Sequence, residues 1–371
     1  MADIADPSVP EPRANPDLLG HEAAEANLLR AAATGRLAHG WLITGPRGVG
    51  KATLAFRFAR YLLAGGAGAE AQTPGLFGTP EPPAAQSLRL EPGHPVSRRV
   101  ASGGHADLRV IERGWDEKKK KLRSEIVVDD VRDIGTFLHL TPAEGGWRVV
   151  VVDCAEDMNR NAANAVLKVL EEPPRRSLLL LVSHAPGRLL PTIRSRCRRL
   201  ALRPLADAQV RALLARYRPD LGVEDQALLV WLAQGSIGRA LALADEDGLE
   251  LYRDLMGLLG NLPVLDVPAL HDFADRLARD REGGAFRTAA ELLEGWMARL
   301  LRAAALGRPE PGVPADEAAV LARLAGSRRL EQWLALWEKV TRLVGGVEQI
   351  DLDRKQVWIG AMLALAGQAR R

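Results

Sequence analysis

Residues 39–64 read HGWLITGPRGVGKATLAFRFARYLLA, and their pattern decides the fold. The run GWLITG, residues 40–45, is short, apolar and closed by glycine, while the apolar positions after Ala52 repeat with helical spacing. Strand, glycine loop and helix therefore follow one another. In such a loop Gly45, Gly48 and Gly50 let the backbone turn tightly, so that successive amides point at phosphate oxygens and the helix N-terminus adds its dipole. Lys51 would reach the β and γ phosphates of a nucleotide. The plainer alternative is a glycine turn that only packs a helix on a sheet. The position after the lysine normally carries a hydroxyl for Mg²⁺. Here it is Ala52, with Thr53 one residue further on, so the metal's usual protein ligand is missing.

Working outward, WRVVVVD (residues 147–153) sets four valines between Arg148 and Asp153, the mark of a strand buried on both faces of a parallel sheet. A helix is predicted over about 159–171 and is stopped by Pro173 and Pro174. LLLLVSH (residues 178–184) is another buried strand, and residues 108–111 a short one. A helix is expected to begin near Asp129, with its carboxylate capping the amides of residues 130–132. Strands alternating with helices give an α/β doubly wound core. Beyond Pro204 only helical patterns remain, over 206–217, 224–234 and 238–245, with longer amphipathic helices from about Val267 broken by GRPEPGVPAD at residues 307–316. The resulting layout is a disordered tail over 1–17, a core over 18–203 with an Ala/Gly/Pro-rich surface excursion at 64–95, a small helical unit over 204–262 and a helical domain over 263–371.

Composition narrows the class. With 371 residues, 47% apolar and 26% charged, the chain can bury a large core, and a net charge of +3 is too balanced to argue for nucleic-acid binding. Cys154 and Cys197 are the only cysteines, which excludes a disulfide scaffold and a four-thiolate zinc site and suits a reducing cytoplasm. The N-terminal residues carry no apolar block of a secretory signal, and no run of about 18 uncharged apolar residues offers a membrane span.

Asp153 ends an apolar strand, the place where phosphoryl-transfer enzymes hold a metal-organising carboxylate, often followed by a Glu that polarises water. The next residue here is Cys154. A thiol does not replace that base, and Glu156 and Asp157 are displaced along the chain; capping of the following turn by Asp153 is the duller reading. The stretch NAANAVLKVLEEPPRRSLLLLVSHAPGRLLPTIRSRC (residues 161–197) closely resembles the signature of bacterial clamp-loader subunits, with LEEPP and SRC elements. HGWLITGPRGVGK from His39 and LDRKQ from Leu352 are similar to the same family's opening and C-terminal end.

The resemblance implies an AAA+ parallel-sheet core, a helical lid over 204–262 and an all-α collar over 263–371. It implies nucleotide contacts from Gly45, Gly48, Gly50, Lys51, Ala52, Thr53, Asp153 and the polar sensor Ser183, and an arginine finger, Arg196 of SRC, given in trans to a neighbour's ATP. On residue type alone, Arg196 among Arg194, Arg198, Arg199 and Arg203 reads as a solvated basic stripe. The hydrolysing subunits of the family carry a hydroxyl after the lysine, an acidic pair, and a lid arginine where GSIGRAL (residues 235–241) has Gly238. These departures point to the non-hydrolysing delta-prime side, so ATP binding is degenerate and Mg²⁺ is not expected; a self-sufficient ATPase using Thr53 and Glu156 is the alternative, and a small-molecule kinase a weaker third. The cysteine-rich zinc module of such subunits has no counterpart here, and no zinc is expected. The implied partners are tau/gamma and delta subunits in a hetero-pentamer, and through it a sliding clamp and primed DNA, in the cytoplasm. The run Lys118 to Lys121 in WDEKKKKLR reads first as an exposed loop and second as a contact to DNA phosphates. Trp333 and Trp337 share a helical face, for a collar interface or a core ridge.

Overall fold

The computed structural model describes residues 10–34, 37–66, 87–117, 120–144, 146–280, 283–350 and 352–370. The chain forms two compact units, residues 1–219 with 234–238 and residues 220–233 with 239–371.

The first unit is built on five parallel strands. These are β1 (Gly40–Thr44), β2 (Leu108–Ile111), β5 (Arg148–Val152), β6 (Ser177–Ser183) and β7 (Arg198–Ala201), in the order β2-β5-β6-β1-β7. A separate antiparallel pair, β3 (Trp115–Asp116) and β4 (Lys121–Leu122), lies between β2 and the next helices. Every residue of β1, β5 and β6 is buried, and their alternation divides the core in two. Val149, Val151, Leu178 and Leu180 join Trp41 and Ile43 against α1 (Glu22–Ala33), α2 (Lys51–Leu63) and α3 (Pro95–Ala101). Val150, Val152, Leu179 and Leu181 face α4 (Val128–Val131), α5 (Ile134–His139), α6 (Arg160–Glu171) and α7 (Pro191–Arg196). The valine and leucine runs are thus continuous because helices cover both faces of the sheet. This is the α/β architecture, a parallel sheet between two layers of helices, that the sequence predicts.

Helix α6 follows its signals closely: the Asn159 carboxamide accepts from the Ala162 amide at 3.0 Å, and Pro173 ends it. The expected cap at Asp129 differs. Asp130 instead accepts the Val127 amide at 2.9 Å and pairs with Arg123, leaving Asp129 exposed on Arg132. The tail reading is also corrected over residues 10–17. Buried Arg60 donates to the carbonyls of Arg13 and Asn15, each at 2.7 Å, and Arg57 to that of Pro16 at 2.7 Å. Two arginines inside a helix need acceptors, and this strand of backbone supplies them. Residues 1–9 of the tail, 67–86 of the excursion, and Lys118 and Lys119 lie outside the described residues. The excursion's end is not a loop on the surface: Leu88 is wholly buried and its amide donates to Glu25.

The first unit also holds α8 (Asp207–Tyr217), and α9 (Val223–Ala233) and α10 (Ile237–Asp245) follow. The second unit continues with α11 (Gly248–Gly260), α12 (Val267–Arg279), α13 (Gly284–Leu306), α14 (Ala315–Ala325), α15 (Leu330–Ile350) and α16 (Arg354–Arg370). Its interior contains a charged knot: Glu317 accepts from Arg299 and from the Tyr252 hydroxyl, both at 2.6 Å, while the Arg299 guanidinium covers the Trp231 ring. Trp333 is a core residue and Trp337 half-buried, so the first of that pair serves the interior. No helix among the described residues is long and apolar enough to cross a membrane.

A phosphate loop closed on its own chain and an arginine held at the surface

Gly45, Gly48 and Gly50 all take positive φ, at 148°, 74° and 100°, the conformations that glycine alone adopts readily. At Gly45 there is a second reason, since a Cβ would stand 2.5 Å from the Leu202 carbonyl oxygen. The loop curls around Lys51, whose buried Nζ donates to the Pro46 carbonyl at 2.6 Å. Burial lowers the Lys51 pKa, against the opposing pull of Glu156 and Asp153. The outer carbonyls of the loop are also engaged. Val49 accepts from His21 Nε2 at 2.6 Å, Arg47 from the Ser236 hydroxyl at 2.8 Å and Gly48 from the Gly238 amide at 2.9 Å. A Cβ at Gly238 would lie 2.8 Å from Gly48 Cα, so an arginine cannot stand there unless the segment lifts away.

Ala52 opens α2 without a hydroxyl, and Thr53 is buried about 100° further round the helix. At the end of β5, Asp153 accepts the Cys154 amide at 2.9 Å, and burial raises its pKa. Cys154 has φ 52°, and its thiol is pushed up to about 11, chiefly by burial and then by Asp153 and Glu156. At neutral pH it is a protonated thiol, with no capacity to act as a base. Glu156 is committed elsewhere: its Oε1 accepts the amides of His184 at 2.8 Å and Ala185 at 3.1 Å, and it is paired with the His184 ring. Burial would raise the Glu156 pKa, yet hydrogen bonds from its own and the His184 amide, with the charge of His184, carry it below the ordinary value. Ser183 is fully buried beside it at the end of β6. The residues therefore fit a phosphate-binding backbone but offer neither the metal's hydroxyl ligand nor a free carboxylate base. Among the described residues no group of three or more His, Cys, Asp or Glu could hold a metal ion.

Arg196 stands apart. It is the last residue of α7, its side chain 39% exposed, with Nη1 donating to the Thr192 carbonyl at 3.3 Å and Nη2 2.9 Å from Glu171 Oε1. None of these partners touches the loop. The structure thus brings Lys51, Asp153, Ser183 and the three glycines to the sheet's end, and sets Arg196 elsewhere. Of its neighbours, Arg198 lies over Trp41 and reaches Asn27, and Arg199 donates to Thr44 at 3.3 Å, so the stripe is not uniformly solvated. Gly238, His184 and Glu171 have roles that spacing alone could not show, because each is defined by a partner distant in sequence.

Comparison with known proteins bears on the same segments. Residues 89–206 match the family described as DNA polymerase III, delta subunit. A DNA polymerase III subunit delta′ from Pseudomonas aeruginosa is 41% identical over 200 residues, which span 54% of this chain and 53% of that protein. A gamma/tau subunit from Mycobacterium bovis is 30% identical over 75% of this chain and 45% of its own length. The chain thus spans about half the length of the relatives it matches. Among solved structures, a gamma subunit-related protein from Thermotoga maritima aligns over 93% of this chain and 99% of that one, at 18% identity and a TM-score of 0.41. The LEEPP and SRC elements and the strand ending in Ser183 all lie inside the matched segment, where the chain is similar to the delta-type subunits of DNA polymerase III.

Proposed function

We propose that this chain is a stator-like subunit that lends Arg196 to the ATP site of a neighbouring subunit and does not itself hydrolyse ATP. The observation that carries the reading is the seating of Gly238 on the backbone of Gly48, at a distance that leaves no room for a lid arginine. Ala52 without a hydroxyl and Cys154 as a protonated thiol support it from two other sides. The rival in which Thr53 and Glu156 restore catalysis is disfavoured, since Thr53 is buried off to one side and Glu156 is engaged by His184 and Ala185. Any nucleotide held by residues 45–53 would be structural rather than a substrate.

In this reading the partners are tau/gamma and delta subunits in a hetero-pentameric ring in the cytoplasm, and the ring opens a sliding clamp and sets it on primed DNA. The layout of core (18–203), lid (204–262) and collar (263–371) belongs to the same proposal. As the γ-phosphoryl group leaves, negative charge spreads over its oxygens, and a planar guanidinium with several donors stabilises that charge best. Two measurements test it. The purified chain alone is expected to show no Mg²⁺-dependent ATP turnover, and a ring reconstituted with Arg196→Ala is expected to assemble normally while losing turnover at one site, by about 10³-fold or more. Brisk hydrolysis by the isolated chain, or a fully active Arg196→Ala ring, would sink the reading.

A further inference from the structure

Glu171 is the acidic neighbour of the one arginine to which the proposed function assigns a catalytic role, and their contact is built into the fold. Glu171 ends α6 and Arg196 ends α7. The residue before the first and the residue after the second converge on Gly40 at the start of β1. A Cβ at Gly40 would lie 2.7 Å from Leu170 Cδ2, 3.3 Å from Cys197 Sγ and 3.6 Å from the Arg196 carbonyl oxygen. Leu170 and Cys197 are both buried, and His39 Nε2 donates to the Leu170 carbonyl at 3.0 Å. The backbones carrying Glu171 and Arg196 are therefore fixed by the core, not by the ion pair between them.

We propose that Glu171 is a positioning residue for Arg196, holding its guanidinium in one orientation before a neighbouring nucleotide arrives. This rests on the arginine-finger reading above. The contact suits the task in two ways. One hydrogen on Nη2 is given to Glu171 and one on Nη1 to Thr192, and each nitrogen has a second hydrogen for a phosphate oxygen. The pair is also exposed, 39% and 44% for the two side chains. In that environment attraction is weak, so the carboxylate orients the guanidinium without cancelling its pull on a more highly charged triphosphate. A long side chain that is already ordered loses less freedom when the transition state recruits it.

The test uses the reconstituted ring, with the P-loop lysines of the other ATP sites replaced so that turnover reports the site facing Arg196. Glu171→Ala is expected to lower kcat roughly two- to five-fold with KM unchanged, the range an exposed ion pair commands. In an Arg196→Ala background the same substitution is expected to do nothing further. The proposal is overturned if Glu171→Ala leaves kcat at the wild-type value, or if it lowers kcat equally with and without Arg196. If Arg196→Ala itself has no effect, the finger reading has failed and takes this proposal with it. The three results are told apart within one double-mutant cycle.

Discussion

The glycine loop at residues 45–51 and the Arg196 corner differ in what they have left to give. In the loop, the ammonium of Lys51 and the carbonyls of Arg47, Val49 and Gly48 are bonded to the same chain. At the corner, Arg196 is tethered by one exposed carboxylate and one carbonyl of its own helix. Polar groups spent internally rigidify a structure, whereas a charge held loosely at the surface stays available to another molecule. In the proposed function the loop is part of the scaffold while the corner keeps the chemistry.

Substitution at the loop's first glycine is the severest way to break this contrast. Gly45→Ala places a Cβ 2.5 Å from the Leu202 carbonyl oxygen at φ 148°. Denaturant unfolding should show a loss of about 3–5 kcal/mol, the sum of backbone strain and overpacking against main chain. Arg196→Ala, measured in parallel, should stay within about 0.5 kcal/mol of wild type, as exposed ion pairs do. Comparable losses at the two sites would mean that the corner is structural as well.

A smaller effect is expected at Gly238. Alanine there gains about 1 kcal/mol of helix propensity, but its methyl meets Gly48 Cα at 2.8 Å. Overpacking of about 1–3 kcal/mol should leave a modest net loss, with faster amide exchange over residues 45–51. Unchanged exchange and unchanged stability would show that this segment yields freely, and the loop would then be less closed than its hydrogen bonds suggest.

The sheet and α6 were legible in the sequence because their signals are local: glycine punctuation, all-apolar runs, an asparagine cap and two prolines. The tight turns at the loop glycines were legible as motif. What escaped depends on partners far away in the chain. Residues 10–17 look like a solvated tail by composition, yet Arg57 and Arg60 claim their carbonyls across more than 40 positions. Gly238 reads as a missing arginine, and only folding shows that Gly48 occupies the space where a side chain would begin. Glu171 reads as one of two acids before a proline pair, and only Arg196 distinguishes it from Glu172.

Glu156 sharpens the comparison most finely, because it decides whether the acidic end of β5 belongs to the scaffold or to chemistry. Its side chain is fully buried and accepts the amides of His184 and Ala185, so Glu156→Gln should cost about 1–3 kcal/mol at neutral pH, the worth of hydrogen bonds to a charged acceptor. The pH dependence follows from the direction of its shift. A carboxylate whose folded pKa is depressed below 4.5 contributes stability above that value, and the contribution drains away as pH falls through the lower folded pKa. The gap between wild type and variant should therefore close as the solution is acidified below about pH 4.5. Asp153 is shifted the opposite way, but it is present in both proteins and largely cancels in the difference. A variant as stable as wild type at pH 7 would free Glu156 from its structural role, and the acidic strand end would have to be counted with the Arg196 corner rather than with the closed loop.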